Sequence, residues 1–340
     1  MGLLSWLLTG KRTPEEGDVQ QTKEIVDRIV KLSPQLRLAR DYEARMAPAV
    51  RKAIDYLTRL AEEVPPACEA SAAAWTTDPY IHAFFAAPDD VCAVFSHSEA
   101  VRAYFRDHPE AEEAFAVLGM AIMEKSILGV AQHGATIRTD VVQTTVSFSD
   151  HQVRVCGVSE AALRREIVLR VVDQLALEGI SKIEADESRR GSLEQERALL
   201  RTRLALLERQ GAGVRSLLGS EASCNPAEAM RLQARIEENN QALASLGLKT
   251  EALERELDVI CGVLSSPDSH FYILKKTFRL DRLNVIVEEV GIRPAEEIEF
   301  RIARLPASPE TMRAYAMVRF QRSNLLPVRS MLTEAGRLLI

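Results

Sequence analysis

Aromatic residues are scarce, at 5% of the chain, and that scarcity favours helices joined by aliphatic seams over an aromatic-rich sheet protein. The five cysteines, Cys68, Cys92, Cys156, Cys224 and Cys261, never form a CxxC pair. Their odd number and wide spacing suggest neither a disulfide framework nor a zinc knuckle, and they fit a reducing compartment. Charge of one sign is also missing: 43 Lys plus Arg stand against 49 Asp plus Glu, a net charge of -6. With both signs interleaved, no general field draws in a polyanion, and bulk nucleic-acid binding is not indicated.

No apolar run is long enough to cross a bilayer. The N-terminal cluster of Gly2, Leu3, Leu4, Trp6, Leu7 and Leu8 is closed by Lys11 and Arg12, too short to span and ordered unlike a secretory signal. It reads either as a helix that rests on the protein or as an interfacial membrane contact through Leu3, Leu4, Trp6 and Leu7. The other apolar stretch, Ala114 to Ala131, is interrupted by Glu124 and Lys125 and reads as a buried core helix.

Chemistry-bearing motifs are lacking as well. The six histidines, His82, His97, His108, His133, His151 and His270, include no HExxH and no pair four residues apart, so each reads as structural. Ser96 and Ser98 lack the glycines of a nucleophile elbow. The adjacent acids Asp89 with Asp90, and Glu296 with Glu297, are of a kind common in turns and at helix starts. The stretch GAGVRSLLGS has glycines but no Gly-Lys-Ser or Gly-Lys-Thr and reads as a hinge. No catalytic or metal residue is assigned, and no cofactor is expected.

What is present is an apolar share of 46%, enough for a sizeable core and about two domains. Helical spacing predicts helices over residues 18–32, over 35–64 with a bend at Pro48, over 98–107, over 110–131 and from Ser159 to about Leu177. Alternation at Val142, Thr144, Val146 and Phe148, resumed at Val153 and Val155, predicts a β-hairpin turning at Ser149 to Gln152.

Two stretches then carry a 3.5-residue repeat. In the first, over residues 192–210, Leu193, Leu200, Leu204 and Leu207 take d, d, a and d, with Arg197 at an a position and Gly211 and Gly213 ending the run. In the second, over residues 226–265, Asn225, Pro226 and Glu228 mark a helix start. Leu232, Ile236, Asn239, Leu243, Leu246, Thr250, Leu253, Leu257, Ile260 and Leu264 follow at alternating d and a positions. Beyond residue 269 the apolar sets Leu283 to Val287 and Ile298 to Ile302 predict strands, Ala314 to Phe320 a third strand or a helix capped at Ser308, Pro309 and Glu310, and residues 328–340 a terminal helix.

The expected fold is mainly α, of the α+β kind. It comprises a possible interfacial segment 1–12, a helical domain 13–133, a β-hairpin 134–158, a helix with an antiparallel coiled-coil hairpin 159–267, and a small mixed domain 268–340. The expected function is that of a non-enzymatic scaffold, cytoplasmic or at the inner face of a membrane. It would meet a protein partner or a second copy through a seam of Leu204, Leu207, Leu232, Ile236, Leu243, Leu246, Leu253 and Leu257. One alternative is an enzyme or ligand-binding module with its site between the helices and the strands. A second is nucleic-acid binding by a basic surface of Arg313, Arg319 and Arg322.

Overall fold

The stretch Ala114 to Ala131, apolar enough to suggest a core helix, is a β-strand in the computed structural model of this chain. The structure describes residues 14–133, 136–218, 226–247, 251–287, 294–305 and 308–327. Helices α1 (Pro14–Leu32), α2 (Tyr42–Glu62), α3 (Ala74–Thr77), α4 (Pro79–Phe84), α5 (Pro88–His97) and α6 (Glu99–Asp107) precede the sheet's main strands, with the two-residue β1 (Cys68–Glu69) between α2 and α3. There follow β2 (Glu113–His133), β3 (Thr136–Gly157), α7 (Glu160–Leu218), α8 (Pro226–Ser245), α9 (Ala252–Ser265), α10 (Pro267–His270), β4 (Tyr272–Leu280), β5 (Glu296–Leu305) and β6 (Ser308–Gln321). The α+β class stands. The chain divides into two compact units, each discontinuous in sequence: one joins the residues up to Arg51 with Ala176–Ser265, the other joins Lys52–Leu175 with the residues from Ser266 onward.

The first unit is helical. Ile25 and Ile29 of α1, Leu36 of a 3₁₀ turn, Met46 and Val50 of α2, and Leu257 and Ile260 of α9 are among its buried apolar side chains. A carboxylate lies among them: Glu256 is 3% exposed and accepts from Ser33 Oγ at 2.6 Å and Gln35 Nε2 at 2.7 Å, the pairing that a buried acid requires. Arg45 on α2 reaches Glu254 and Asp258 on α9. A Cβ at Gly179 of α7 would stand 2.9 Å from Ile260 Cγ1 and 3.0 Å from its Cα. That glycine lets α9 approach the backbone of α7, which runs past the predicted end at about Leu177 to Leu218.

The second unit is built on the sheet, whose six strands among the described residues run in the order β3-β2-β6-β5-β4, with β1 on β6. All pairings of that path are antiparallel, and β1 lies parallel to β6, Cys68 opposite Val318. The two ends of the order are joined. Thr145 of β3 bridges Val285, and Leu280 of β4 bridges Ile286, so one short segment is shared by both outer strands and the sheet curls closed. Along β2 the residues Ala114, Ala116, Leu118 and Met120 are buried, while Phe115 and Val117 lie half-buried on the opposite face.

Over residues 114–120 that two-sided burial explains the misreading of β2 as a helix: a strand covered on both faces shows no alternation, only a continuous apolar run. The predicted turn at Ser149 to Gln152 is likewise corrected. Both candidate strands belong to β3, whose partner is β2. The register shift where Gly119 pairs Gln152 and Ala121 pairs Ser149, with Asp150 at φ 49°, marks a β-bulge, which kinks a strand without ending it. Inside the curl, Phe84 of α4, Phe148 of β3 and Phe300 of β5 meet at ring distances of 5.0–5.8 Å, so the few aromatic residues are concentrated in one core.

Two further expectations change. The first heptad stretch does not end at Gly211 and Gly213, because α7 continues to Leu218; the proposed hinge therefore lies partly in helix, and residues 219–225 fall outside the described residues. The second stretch is not one helix of forty residues. α8 ends at Ser245 and α9 begins at Ala252, with Gly247 at φ 73°, the left-handed conformation in which glycine closes a helix. The predicted strands at Ile298 to Ile302 and Ala314 to Phe320 lie in β5 and β6, whereas Leu283 to Val287 contributes isolated bridges, and β4 precedes them. The proposed terminal helix 328–340 lies outside the described residues.

Candidate functional site

The sequence-derived seam is distributed over three helices. Arg203 of α7 meets Glu228 of α8 at 2.6 Å, Glu196 meets Arg235 at 3.1 Å, Arg197 donates to Asn240 Oδ1 at 3.3 Å, and Arg190 donates to the carbonyl of Leu246 at 2.6 Å. From Arg190 with Leu246 at one end to Arg203 with Glu228 at the other, rising numbers on α7 meet lower numbers on α8, so the two run antiparallel. Leu232 and Leu243 are buried, and Leu204, Leu207, Ile236 and Leu246 are half-buried between exposed neighbours. Leu253 and Leu257 stand apart from these, on α9, where Leu257 belongs to the core of the helical unit. Asn239, at a seam position, is 6% exposed, and its Nδ2 has no partner. On the outer surface of the pair Leu199, Leu206 and Met230 are 72%, 53% and 69% exposed.

The three arginines of the proposed basic surface all lie in the second unit and all bind protein groups. Arg313 holds Asp150 through Oδ2 at 2.7 Å, Arg319 faces Glu69 and Glu113 at 3.6 Å each, and Arg322 donates to the carbonyls of Phe105, His108 and Ala111. The proposed membrane contacts Leu3, Leu4, Trp6 and Leu7 lie outside the described residues. No helix among the described residues is long and apolar enough to cross a membrane.

A cavity of about 460 Å³ opens within the second unit. It lies between one face of the sheet and the helices over it, with Leu57 and Ala61 from α2, Ile167 and Val171 from α7, and Val117 and Ile273 from the sheet. Its lining includes Gln152, Arg154 and Arg313, part of a hydrogen-bonded polar set at the bulge in β3, beside Gly119. Gln152 Nε2 donates to Asp150 Oδ1 at 2.8 Å, Arg154 Nε donates to Gln152 Oε1 at 3.0 Å, and Arg313 clasps both the carboxylate and the carbonyl of Asp150. The hydrogen bond from Arg313 holds the Asp150 carboxyl below the usual carboxylate range. Tyr315 also lines the cavity. Its hydroxyl is buried without a partner, and burial raises its pKa.

Sequence reasoning offered a site between the helices and the strands only as an alternative and named none of the residues that line this cavity, because its walls come from segments far apart in the chain. One local signal existed: Gly119 lies in an otherwise apolar stretch, and a strand glycine marks a bulge or a close approach.

Several groups capable of chemistry are otherwise engaged. His82 contacts the carbonyls of Trp75 and Arg282, and His151 that of Phe84. Asp90 accepts from the amide of Ala87 at the head of α5. Burial pushes the thiols of Cys68 and Cys156 up to about 12 and about 11, which leaves them protonated at neutral pH and poor nucleophiles. Among the described residues no group of three or more His, Cys, Asp or Glu is placed to hold a metal ion. Comparison with protein-family models, with curated proteins and with solved structures finds no match for this chain.

Proposed function

We propose that the chain is a non-enzymatic interaction protein whose α7–α8 pair is an antiparallel coiled-coil hairpin that recognises a protein partner or a second copy. The observation that carries this reading is the exposure of Leu199 and Leu206, one heptad apart on α7. Leu200, Leu204 and Leu207, at the seam positions beside them, are half-buried, and Glu196 and Arg203 are occupied by α8 partners. With Leu200 at d, Glu196 and Arg203 fall at g, and with Leu232 at d so do Glu228 and Arg235. Pairing of g with g is what an antiparallel arrangement brings together, since e and g residues flank the seam. A closed seam cannot also serve a partner, so recognition moves to the outer stripe. Apolar area covered there contributes roughly 25 cal/mol per Å² before the costs of association.

The free thiols of Cys68, Cys92, Cys156 and Cys261 fit action in a reducing compartment. Nucleic-acid binding through the C-terminal arginines has less support, because Arg313 and Arg319 face carboxylates and Arg322 binds carbonyls.

The test is quantitative affinity purification of the full chain from its native cells, beside the double variant Leu199→Glu, Leu206→Glu, with light scattering for self-association. Loss of a specific partner or of a dimer in a variant that keeps its melting temperature is the expected result. Identical recovered proteins and identical mass in solution would remove the hairpin from the recognition surface.

A further inference from the structure

The cavity of the second unit is independent of the hairpin. Gly119 lies on its wall, in the middle of β2, between Tyr315 of β6 and Gln152 of β3. Glycine weakens a strand, so its presence there asks for a reason. Backbone conformation does not supply one, because Gly247 is the positive-φ glycine among the described residues. Crowding does not either: a Cβ at Gly119 would have the Gln152 carbonyl at 3.7 Å and Arg313 Nε at 4.0 Å as its nearest neighbours, which is ordinary contact. What the missing side chain does is leave the space above the sheet empty.

The surrounding groups define what would fill that space. Leu57, Ala61, Val117, Ile167 and Val171 offer no hydrogen bond from their side chains, so the body of an occupant must be apolar. At about 30 Å³ per water-sized group, the volume accommodates about fifteen non-hydrogen atoms, the size of a fatty acid of roughly ten to twelve carbons. In the polar set Arg313 and Arg154 stand with the single acid Asp150, whose oxygens are taken by Arg313 and Gln152. That set has an excess of one positive charge. Arg154 is exposed, and its Nε is bonded to a neutral amide, so an incoming carboxylate would meet a guanidinium not held by an acid through that nitrogen. Arginine suits carboxylates through charge-assisted, forked hydrogen bonds.

We propose that this cavity binds a single-chain amphiphile with one negative charge, of the medium-chain fatty-acid class, its chain lying over Gly119 and its carboxylate at Arg154.

The experiment is isothermal titration of the full chain with decanoate and with dodecanoate below their micelle concentrations, using 1-decanol as the uncharged control. The expected result is saturable binding at one site per chain. Gly119→Leu, which places a side chain in the cavity, should weaken decanoate at least tenfold while the melting temperature holds or rises. Arg154→Gln should weaken decanoate severalfold and leave decanol unchanged. Where Gly119→Leu loses its cooperative melt, Ile167→Trp, from the α7 wall, is read in its place. Absence of saturable binding, or decanoate affinity untouched by the cavity-filling variant, would overturn the site. Equal loss of decanoate and decanol in Arg154→Gln, or no loss of either, would overturn the charged head group.

Discussion

Two long antiparallel pairs, α7 with α8 and β2 with β3, are built on opposite logics. The helical pair is joined by residues that its own two helices supply, Arg203–Glu228 and Glu196–Arg235 among them, with Leu232 and Leu243 of α8 buried. The β pair is closed by others. Its base is buried because β6 lies beside β2 from Glu113 to Ala121, because α4 to α6 cover one face, and because Val64 and Leu163 cover the other. Beyond Ala121 that support ends, and Ile127, Leu128 and Val142 become exposed. A pair that brings its own seam advertises itself in sequence; a pair buried by third parties does not.

The sharpest way to break this contrast is at the aromatic centre on which the sheet depends. Phe300→Ala removes the ring shared by Tyr80, Phe84, Phe148 and Phe278 and should cost about 3–5 kcal/mol in urea unfolding followed by near-ultraviolet circular dichroism. A loss below about 1 kcal/mol would mean that the sheet is not organised around it.

Next comes Gly179→Ala, where the new methyl meets Ile260. Although alanine is the better helix former, the variant should lose about 1–3 kcal/mol through overpacking. The buried amide of Asn239 offers a gain instead: Asn239→Leu removes an unpartnered Nδ2 and should add about 1 kcal/mol of stability. Because a seam asparagine sets register and partner number, the same variant should broaden the species seen by light scattering. An unchanged single species together with lower stability would deny Asn239 that role.

Smaller again, Gly191→Ala on the exposed stretch of α7, where a Cβ meets nothing within 4 Å, should stabilise by up to about 1 kcal/mol. Opposite signs at Gly179 and Gly191 in thermal melts would separate the region of α7 held by tertiary contact from the region held by helix propensity.

The smallest effects concern acid. The amide of Arg40 and then Arg45 hold Glu254 below its ordinary value of 4.5, Arg313 does the same for Asp150, and Arg164 for Glu160. A carboxyl depressed in the folded state contributes stability above its unfolded value and loses it as pH falls through the folded one. Stability should therefore be flat from these groups at neutral pH and decline below about pH 4. Glu254→Gln and Asp150→Asn should each flatten that decline, one reporting on the helical unit and the other on the sheet. An acid limb identical to that of the unaltered chain would show that these pairs do not contribute.

Much of the helical structure was legible because its determinants are local. Pro226 after Asn225 and before Glu228 marks the start of α8, and the apolar spacing of Ile25 and Ile29 sets the inner face of α1. The failures have one cause. The break at Gly247 was hidden because Leu253 and Leu257 continue the same heptad phase, yet they lie on α9, where Leu257 is buried in the helical unit. The strand β2 was read as a helix because burial on both sides erases alternation. The bulge at Asp150 was read as a turn, since polar residues flanking a positive-φ position serve either purpose.

The sequence by itself determined which segments carry a helical repeat, that aliphatic rather than aromatic residues form most seams, and that no familiar catalytic spacing is present. The tertiary structure decided which apolar face meets which. It divided a continuous heptad run between a paired arm and a core, joined the two ends of a sheet through residues 284–286, and opened a cavity over Gly119. Helix periodicity is fixed by neighbours three and four positions away, whereas a strand's burial and a cavity's walls depend on residues a hundred or more positions distant, about which a local pattern carries no information.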